Sequence, residues 1–336
     1  MLHSTTFEDS LKAIRSVLKT AKNAAITTHV NPDGDAIGST LGLYHFLKQL
    51  DIDARVINCS PTPYNFEFLP GAREIEVYNQ KKHNGFLNST DLLFVLDANS
   101  ASRLQNMEEI VLKSPARKII IDHHLNPEEF ADIYAIDTDA SSTAELVWKL
   151  IHSHETAHIT TQIAPAIYTG ILTDTGSFKF PRTTAEVHRI IANLIECGAE
   201  PFVISNEIYN TAPFEKTLLL GEALAGLKLY FGGKFCVMTI SQELFKKTGT
   251  TEQDVEGLVH HTLGFNGAQL GLLMTETENL VKLSFRSKGD VPAHTLAGAF
   301  GGGGHFNAAG ARVEGKSLKE VLEEVLKIIS ADVFPE

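Results

Sequence analysis

Residues 24–30, AAITTHV, form a short, mainly apolar run that leads directly into the polar stretch HVNPDGD at residues 29–35. A short apolar run of this kind predicts a β-strand that is buried on both faces. The next segment, Asp35 to Leu50, predicts a helix that packs one stripe on a sheet. Its apolar residues at helical spacing are Ile37, Leu41, Tyr44 and Leu47.

Strand-like and helical segments then alternate through the first half of the chain. Further strands are predicted at 54–59 (ARVINC), 91–97 (DLLFVLD) and 118–122 (KIIID). Two more helices are predicted to begin at capping boxes, Ser142-x-x-Glu145 and Thr183-x-x-Glu186. This alternation predicts an α/β fold with a doubly wound, mostly parallel sheet.

The second half of the chain predicts a second, smaller α/β domain. We expect residues 1–190 to form the first domain, 191–230 a helical linker that includes the stretch Glu215 to Tyr230, and 231–336 the second domain, with the active site in the cleft between the domains. Within the second domain the pattern predicts strands at 234–240, 269–275 and 280–286, then a helix, a glycine run, and a charged amphipathic helix near 316–330.

Composition limits the function. With 29 Lys and Arg against 41 Asp and Glu, the formal net charge is −12, which disfavours binding to long nucleic acid because that normally needs a basic face. The net charge does not argue against binding of a short anionic substrate. Three distant cysteines without a CxxC motif predict a reducing, cytoplasmic location. Neither an export signal nor a membrane span is expected, since both long uncharged stretches, 257–275 and 291–311, are rich in polar residues and glycine.

Acidic and histidine residues gather where the apolar segments of the first domain end. The first segment runs into the stretch His29 to Asp35, and Asp97 ends a second. Asp122-His123-His124 ends a third, and the apolar segment Ile163 to Asp174, which runs into Thr175-Gly176, is grouped with them as a fourth. In open α/β sheets ligands bind outside the carboxyl ends of the strands. Carboxylates and imidazoles crowded there would repel or lose protons unless a cation lay among them.

The ligand types narrow the choice of cation. Asp oxygens and His nitrogens without cysteine disfavour iron–sulfur and structural zinc sites and favour two divalent ions, manganese first, with magnesium or cobalt as alternatives. Two ions about 3.5–4 Å apart form the usual clamp for attack of a bridging water on phosphorus. A single Asp at a strand end is often only a helix cap, but four such ends are hard to explain by caps.

These motifs carry a family resemblance. His29-x-Asn31-Pro32-Asp33-x-Asp35, Asp97, Asp122-His123-His124 and Thr173-Asp174-Thr175-Gly176 resemble the four motifs of the DHH phosphoesterase superfamily. FRS at 285–287 and FGGGGHFNAAG at 300–310 resemble the glycine-rich, DHHA-type C-terminal domain of that superfamily. The order and length are closest to the branch of nanoRNases and pAp phosphatases.

The resemblance implies a role for each matching residue. It assigns one ion to His29, Asp33 and Asp97, and a second ion to Asp35, Asp97, His123 and Asp174, with Asp97 as the bridge. It also implies that Asp122 orients His123 through its free ring nitrogen, and that His124 faces the substrate phosphate and assists the leaving oxygen.

The glycine run can also be interpreted without the resemblance. The backbone N–H groups of Gly302, Gly303 and Gly304 could approach an oxyanion closely because no Cβ intervenes. Arg286 offers a bidentate fork for a phosphate, and His305 adds a donor. A flexible surface loop is the competing interpretation. Together with a metal site, these residues predict a clamp for a second phosphate of the substrate.

The resemblance therefore implies a hydrolase that cuts very short RNA oligonucleotides, di- to pentanucleotides, to mononucleotides, and 3′-phosphoadenosine 5′-phosphate (pAp) to AMP and phosphate. The alternatives are a phosphodiesterase for linear or cyclic dinucleotides and, in a different class, a nucleotide-binding sensor without catalysis. A RecJ-type exonuclease is disfavoured by the absence of a basic surface. The sequence is compatible with a homodimer.

Overall fold

The apolar segments of the first half form a six-stranded, fully parallel sheet. The computed structural model describes residues 6–255 and 257–334 and divides the chain into two units, residues 1–211 and 212–336. In the first unit the strand order is β3-β2-β1-β4-β5-β6. The strands are β1 (Asn23–Thr28), β2 (Asp53–Asn58), β3 (Glu76–Val77), β4 (Leu92–Leu96), β5 (Arg117–Asp122) and β6 (Ile133–Ile136). The predicted parallel sheet is confirmed, and the short edge strands β3 and β6 are additions to it.

Helices cover both faces of this sheet, as a doubly wound fold requires. One face packs against α1, α2 and α5, with α6 and α7 packed on the outer side of these helices, and the other face packs against α3 and α4. All five residues of β4 are buried between the two layers. The helices are α1 (Phe7–Leu18), α2 (Gly34–Gln49), α3 (Gln80–Leu87), α4 (Glu108–Lys113), α5 (Thr143–His152), α6 (Ile163–Asp174), α7 (Ala185–Glu196) and α8 (Pro201–Tyr209).

The strand order reverses between β1 and β4, which pair side by side. In doubly wound sheets this switch point opens the crevice in which ligands bind. His29 follows β1 and Asp97 follows β4 directly. The fold therefore brings the first two predicted motifs to the place where a site is expected.

One element was predicted wrongly: the segment Ile163 to Asp174 is the helix α6 and not a strand. The helix is apolar almost all round because it lies buried against α2, and a short apolar run does not distinguish a buried helix from a buried strand. Glycines permit the close packing, since a Cβ on Gly38 would lie 2.4 Å from the carbonyl oxygen of Ala166. Asp174 consequently reaches the site from the end of a helix.

The two predicted capping boxes are only partly present. Ser142 caps α5 by accepting from the Glu145 backbone N–H, but the Glu145 carboxylate accepts from Ser141 instead of returning to Ser142. At α7 the cap is Thr184, which accepts from the Val187 N–H, so the prediction of Thr183 was wrong by one residue. Both helices begin within two residues of the predicted caps.

The second unit is a smaller α/β domain with one mixed sheet, as predicted. Its strand order is β11-β12-β10-β9-β8-β7, in which only β8 and β9 pair in parallel. The strands are β7 (Lys228–Tyr230), β8 (Phe235–Ile240), β9 (Leu270–Glu276), β10 (Leu280–Ser287), β11 (Gly303–His305) and β12 (Ala308–Glu314). The helices are α9 (Phe214–Ala225), α10 (Gln242–Thr248), α11 (Ala293–Gly298) and α12 (Leu318–Asp332).

The helices between the two sheets are divided between the units. Leu194 and Ile204, from α7 and α8, lie in the core of the first unit, whereas Leu219 of α9 packs against the sheet of the second unit. The stretch Glu215 to Tyr230 was predicted to be helical throughout, but α9 ends at Ala225 and β7 follows. Within residues 6–255 and 257–334, the helices are all too short or too polar to cross a lipid bilayer.

Candidate metal centre

The loop after β1 is shaped by its own polar residues. Asn31 has a left-handed φ of 53°, and its N–H donates to the Ser60 hydroxyl at 3.1 Å. Asp33 caps α2, because its Oδ1 accepts from the N–H groups of Asp35 and Ala36, both at 3.0 Å. The capping interpretation of this aspartate is therefore correct, and it does not compete with metal binding, since the carboxylate has a second oxygen.

Asp97 lies at the centre of the site. It has a φ of 54°, which is uncommon for a residue other than glycine, and it is 2% exposed. Its Oδ2 lies 3.3 Å from Nε2 of His29. Its Oδ1 lies 3.7 Å from Nε2 of His123 and 3.5 Å from Nδ1 of His124. One carboxylate thus faces histidines from two different motifs.

The remaining predicted ligands lie around His123. Nε2 of His123 is 3.4 Å from Oδ2 of Asp174 and 4.0 Å from Oδ2 of Asp35. The structure therefore gathers all six predicted metal ligands. Three sets have ligand atoms within 4.8 Å of one another: His29, Asp33 and Asp97; Asp35, His123 and Asp174; and Asp97, His123 and His124.

The donor set around His29 suits a metal ion. Nδ1 of His29 lies 2.8 Å from the Val30 carbonyl oxygen, so Nδ1 carries a proton and donates it. In the neutral ring, the lone pair on buried Nε2 then faces a carboxylate oxygen of Asp97 at 3.3 Å. Two acceptors held this close need a proton or a metal ion between them. Metal-bound histidines in proteins usually have this arrangement, with the second ring nitrogen bonded to a carbonyl or carboxylate.

Electrostatics lead to the same conclusion. Burial, together with the carboxylates of Asp97 and Asp33, raises the pKa of both Asp35 and Asp174 well above the usual range. Burial also acts to raise the pKa of Asp97, but the proximity of the His29, His124 and His123 rings outweighs it and lowers that pKa. Divalent cations would relieve the mutual repulsion of these carboxylates.

Asp122 orients His124, whereas the sequence predicted that it orients the ring of His123. Oδ1 of Asp122 accepts from Nδ1 of His124 at 2.7 Å, and from the backbone N–H groups of His123 at 2.8 Å and His124 at 3.2 Å. The tight turn of the DHH triplet folds the second histidine back over the aspartate. The side chain of His124 is 19% exposed against 6% for His123, so His124 is the more accessible of the two rings.

Sequence reasoning missed two residues of the site, Thr143 and Arg103. The backbone N–H groups of Thr143 and Ala144, in the first turn of α5, donate to the two oxygens of Asp35 at 2.7 and 2.8 Å. The Thr143 hydroxyl donates to Oδ1 of Asp97 at 3.1 Å, and Nη1 of Arg103 donates to the Asp97 carbonyl oxygen at 3.2 Å. The cap at Ser142 located the start of this helix, but nothing in the sequence indicates which carboxylates the helix faces.

In the second unit, three strands bring the predicted substrate residues into one row. Arg286 of β10 pairs with Ala308 of β12, and Ala308 pairs with His305 of β11. Directly paired residues of antiparallel strands project from the same face, so Arg286 and His305 flank the small side chain of Ala308. One bond of the Arg286 guanidinium, from Nη1, goes to the Phe285 carbonyl oxygen at 2.9 Å.

The predicted glycines do not form a loose loop. Gly303 and Gly304 belong to β11, and a Cβ on Gly302 would lie 2.1 Å from the Gly310 carbonyl oxygen. Gly304 has a φ of 144°, and a Cβ there would lie 2.5 Å from the Ala308 carbonyl oxygen. A Cβ on Gly303 has no described neighbour within 4 Å. Two of the three glycines are therefore required by the hairpin itself.

Comparison with known proteins agrees with this organisation. Residues 23–171 match the DHH family, N-terminal domain, and residues 232–331 match the DHHA1 domain. The bifunctional oligoribonuclease and PAP phosphatase NrnA of Thermus thermophilus is 32% identical over 330 residues, which cover 97% of this chain and 95% of the relative. This chain belongs to the DHH family. All the metal ligands proposed for this DHH protein lie within the matched N-terminal domain, except Asp174, which lies three residues beyond it.

Solved structures share the same fold. An exopolyphosphatase-related protein from Bacteroides fragilis is 33% identical to the DHH chain, with a TM-score of 0.92 and coverage of 98% of this chain and 99% of the other. A RecJ exonuclease bound to manganese has a TM-score of 0.52 over 98% of this chain and 95% of the other, at 14% identity. The RecJ likeness is one of fold alone.

Proposed function

We propose that this chain is a metal-dependent phosphoesterase that hydrolyses very short RNA oligonucleotides to mononucleotides and pAp to AMP and phosphate. The observation that carries the proposal is the gathering of Asp and His side chains around Asp97 at the switch point of the sheet. The oligoribonuclease and PAP phosphatase activities named for the Thermus relative support the choice of substrates.

The proposed cofactors are two divalent ions, manganese before magnesium or cobalt. His29, Asp33 and Asp97 would hold one ion, and Asp35, Asp97, His123 and Asp174 the other, in agreement with two of the sets of clustered ligand atoms. Oxygen and imidazole ligands without thiolates favour this choice, and a protein of the same fold, RecJ, is described with manganese bound. When bound, such an ion pair supplies charge stabilisation and an activated water for attack on phosphorus.

His124 is the proposed donor to the leaving oxygen. Its Nδ1 bond to Asp122 fixes the ring and assigns the proton on that nitrogen, so that Nε2 is the atom available to exchange a proton with substrate. The bond to the Asp122 carboxylate also opposes the effect of burial, and the pKa of His124 is raised as a result. An imidazole held in this way would assist departure of the leaving oxygen by donating a proton to it.

Arg286, Gly302, Gly303, Gly304 and His305 are proposed to bind a phosphate that does not react. Arg286 and His305 share one row of the sheet on either side of Ala308, which places two donors on the same face, where both are proposed to bind one oxyanion. A substrate with a second phosphate, such as pAp or a short oligonucleotide, would use this site. The net charge of −12 agrees with local recognition of a short substrate.

The test is product analysis on labelled di- to decanucleotides, pAp and cyclic dinucleotides, with manganese present and, in parallel, with a chelator. The expected result is rapid conversion of the shortest RNAs to mononucleotides and of pAp to AMP, abolished by the chelator. Faster turnover of cyclic dinucleotides would replace this proposal by the phosphodiesterase alternative. Binding of the same nucleotides without any product would favour the sensor.

A further inference from the structure

The backbone of Asp97 needs outside support. Its left-handed φ of 54° is a conformation that L-residues adopt only when their surroundings hold them in it. The Asp97 N–H continues the sheet by donating to the Ile121 carbonyl oxygen at 3.1 Å. The Asp97 carbonyl oxygen, in contrast, accepts its hydrogen bond from a side chain.

Arg103 supplies that group. It lies in the 3₁₀ helix Ala101–Met107 that follows the Asp97 turn, and its Nη1 donates to the Asp97 carbonyl oxygen at 3.2 Å. Its own carbonyl accepts from the Val30 N–H at 2.8 Å. Arg103 therefore ties the turn that carries Asp97 to the loop that carries His29.

Thr143 fixes the other end of the same residue. The Thr143 side chain is fully buried, and its hydroxyl donates to Oδ1 of Asp97 at 3.1 Å. This bond sets the rotation of the carboxylate, which leaves Oδ2 directed at His29. The Thr143 backbone N–H donates to Asp35, so one residue at the start of α5 contacts carboxylates proposed for both ions.

We propose that Arg103 and Thr143 are positioning residues that hold Asp97 as a bridge between the two ions, an inference that rests on the proposed function. Arg103 fixes the backbone of Asp97, and Thr143 fixes its carboxylate. Carboxylates that bind metals are usually held by such outer hydrogen bonds, and loss of one typically weakens metal affinity or activity about 10- to 100-fold.

The test compares Thr143→Val with Thr143→Ser by equilibrium dialysis against manganese, using the full chain. Valine has the same shape without the hydroxyl, and serine keeps the hydroxyl. We expect Thr143→Val to bind manganese about 10- to 100-fold more weakly and Thr143→Ser to stay close to wild type. The matched control is Thr90→Val, because Thr90, two residues before β4, is also buried, and within residues 6–255 and 257–334 its hydroxyl donates only to the Leu92 carbonyl.

Arg103→Met and Arg103→Lys are tested in the same dialysis experiment. They test the positioning role independently if Thr143→Val fails to fold. Thermal unfolding of the metal-free variants checks the fold in each case. The proposal is overturned if both Thr143→Val and Arg103→Met bind manganese as tightly as folded wild type does. Weakened affinity in these variants, with Thr143→Ser and Thr90→Val unaffected, supports it. If wild type binds manganese but hydrolyses neither RNA nor pAp, the proposed function fails while the dialysis result still judges the positioning role.

Discussion

The two candidate sites of this molecule are built in opposite ways. In the first unit, ionisable side chains from distant segments meet in a buried cluster around Asp97, in three overlapping sets of three residues whose ligand atoms lie within 4.8 Å of one another in each set. In the second unit, Arg286 of β10 and His305 of β11 lie on either side of β12, and two of the glycines beside them are required by the backbone of the hairpin. The first site depends on tertiary packing, whereas the second depends on the local geometry of one small sheet.

This contrast has an energetic side. Buried carboxylates are costly unless a cation or hydrogen bonds compensate them, and here the first turn of α5 donates to both oxygens of Asp35. The row at Arg286 carries fewer charges and leaves His305 half-buried. Changes in the first unit are therefore expected to act on metal binding and on all substrates, and changes in the second unit only on substrates with a second phosphate.

The largest effect is expected from Asp97→Ala. Because one carboxylate faces ligands of both proposed ions, its loss should lower kcat/KM by about 10³-fold or more, equivalent to about 4 kcal/mol at the transition state. The matched control is Asp91→Asn, just before the first residue of the same strand, where the carboxylate bonds only the backbone N–H groups of Lys22 and Asn23. Steady-state kinetics on pAp with manganese measure this loss of kcat/KM. More than about a tenth of the wild-type rate would exclude the bridging role.

The next comparison is between two adjacent histidines, His123→Ala and His124→Ala. His123 faces three carboxylates proposed as ligands, so its loss should release metal. His124 is bonded to Asp122, so its loss should keep the metal and reduce the rate by roughly 10²- to 10⁴-fold, the usual contribution of a general acid. Elemental analysis of both purified variants, beside single-turnover rates, separates the two roles. Equal loss of metal from both would contradict this division.

Arg286→Ala should have a smaller and selective effect. Loss of a charge-assisted contact costs about 1.5–3 kcal/mol, so kcat/KM on pAp or a dinucleotide should fall roughly 10- to 150-fold. On bis-p-nitrophenyl phosphate, which has only the reacting phosphorus, it should hardly change. Arg312→Ala is the control, since Arg312 lies on β12 with an exposed side chain. An equal drop on both substrates would show that Arg286 supports the fold or the reacting phosphate.

The smallest expected effects are those of Gly302→Ala and Gly303→Ala on the stability of the second unit. Gly302→Ala forces a Cβ to within 2.1 Å of the Gly310 carbonyl oxygen and should destabilise the second unit by about 1–3 kcal/mol. Gly303→Ala meets no described atom within 4 Å and should leave the unfolding free energy near that of wild type. Denaturant unfolding of the two variants measures both. If Gly303→Ala keeps its stability but weakens pAp binding, close approach of the ligand to that backbone is supported; equal destabilisation of both variants would contradict the hairpin account.

Apolar runs that end in acidic motifs predicted the parallel sheet, and the family resemblance implied the six metal ligands that the structure gathers. The sequence did not predict that Ile163 to Asp174 is a helix, since a helix buried on every side has no polar face to reveal its period. Nor did it predict that Asp122 bonds His124, a detail set by the turn of the triplet.

The supporting residues are hidden for a related reason. Thr143 and Arg103 are ordinary residues in their own segments and acquire a role only when α5 and the 3₁₀ helix after β4 pack beside Asp97. In the second unit the glycine run could be recognised as unusual, but its part in the β11–β12 hairpin depends on pairing with residues that follow it. These roles therefore depend on long-range packing, which local sequence patterns do not reveal.

The most direct test of the central claim is a count of bound ions. Equilibrium dialysis of the full chain against manganese, followed by elemental analysis, should give two ions per chain for wild type and none for Asp97→Asn at the same free metal concentration. The Asp91→Asn control should keep both. One ion or none in wild type, or two ions retained without the Asp97 carboxylate, would contradict a two-metal centre bridged by this residue.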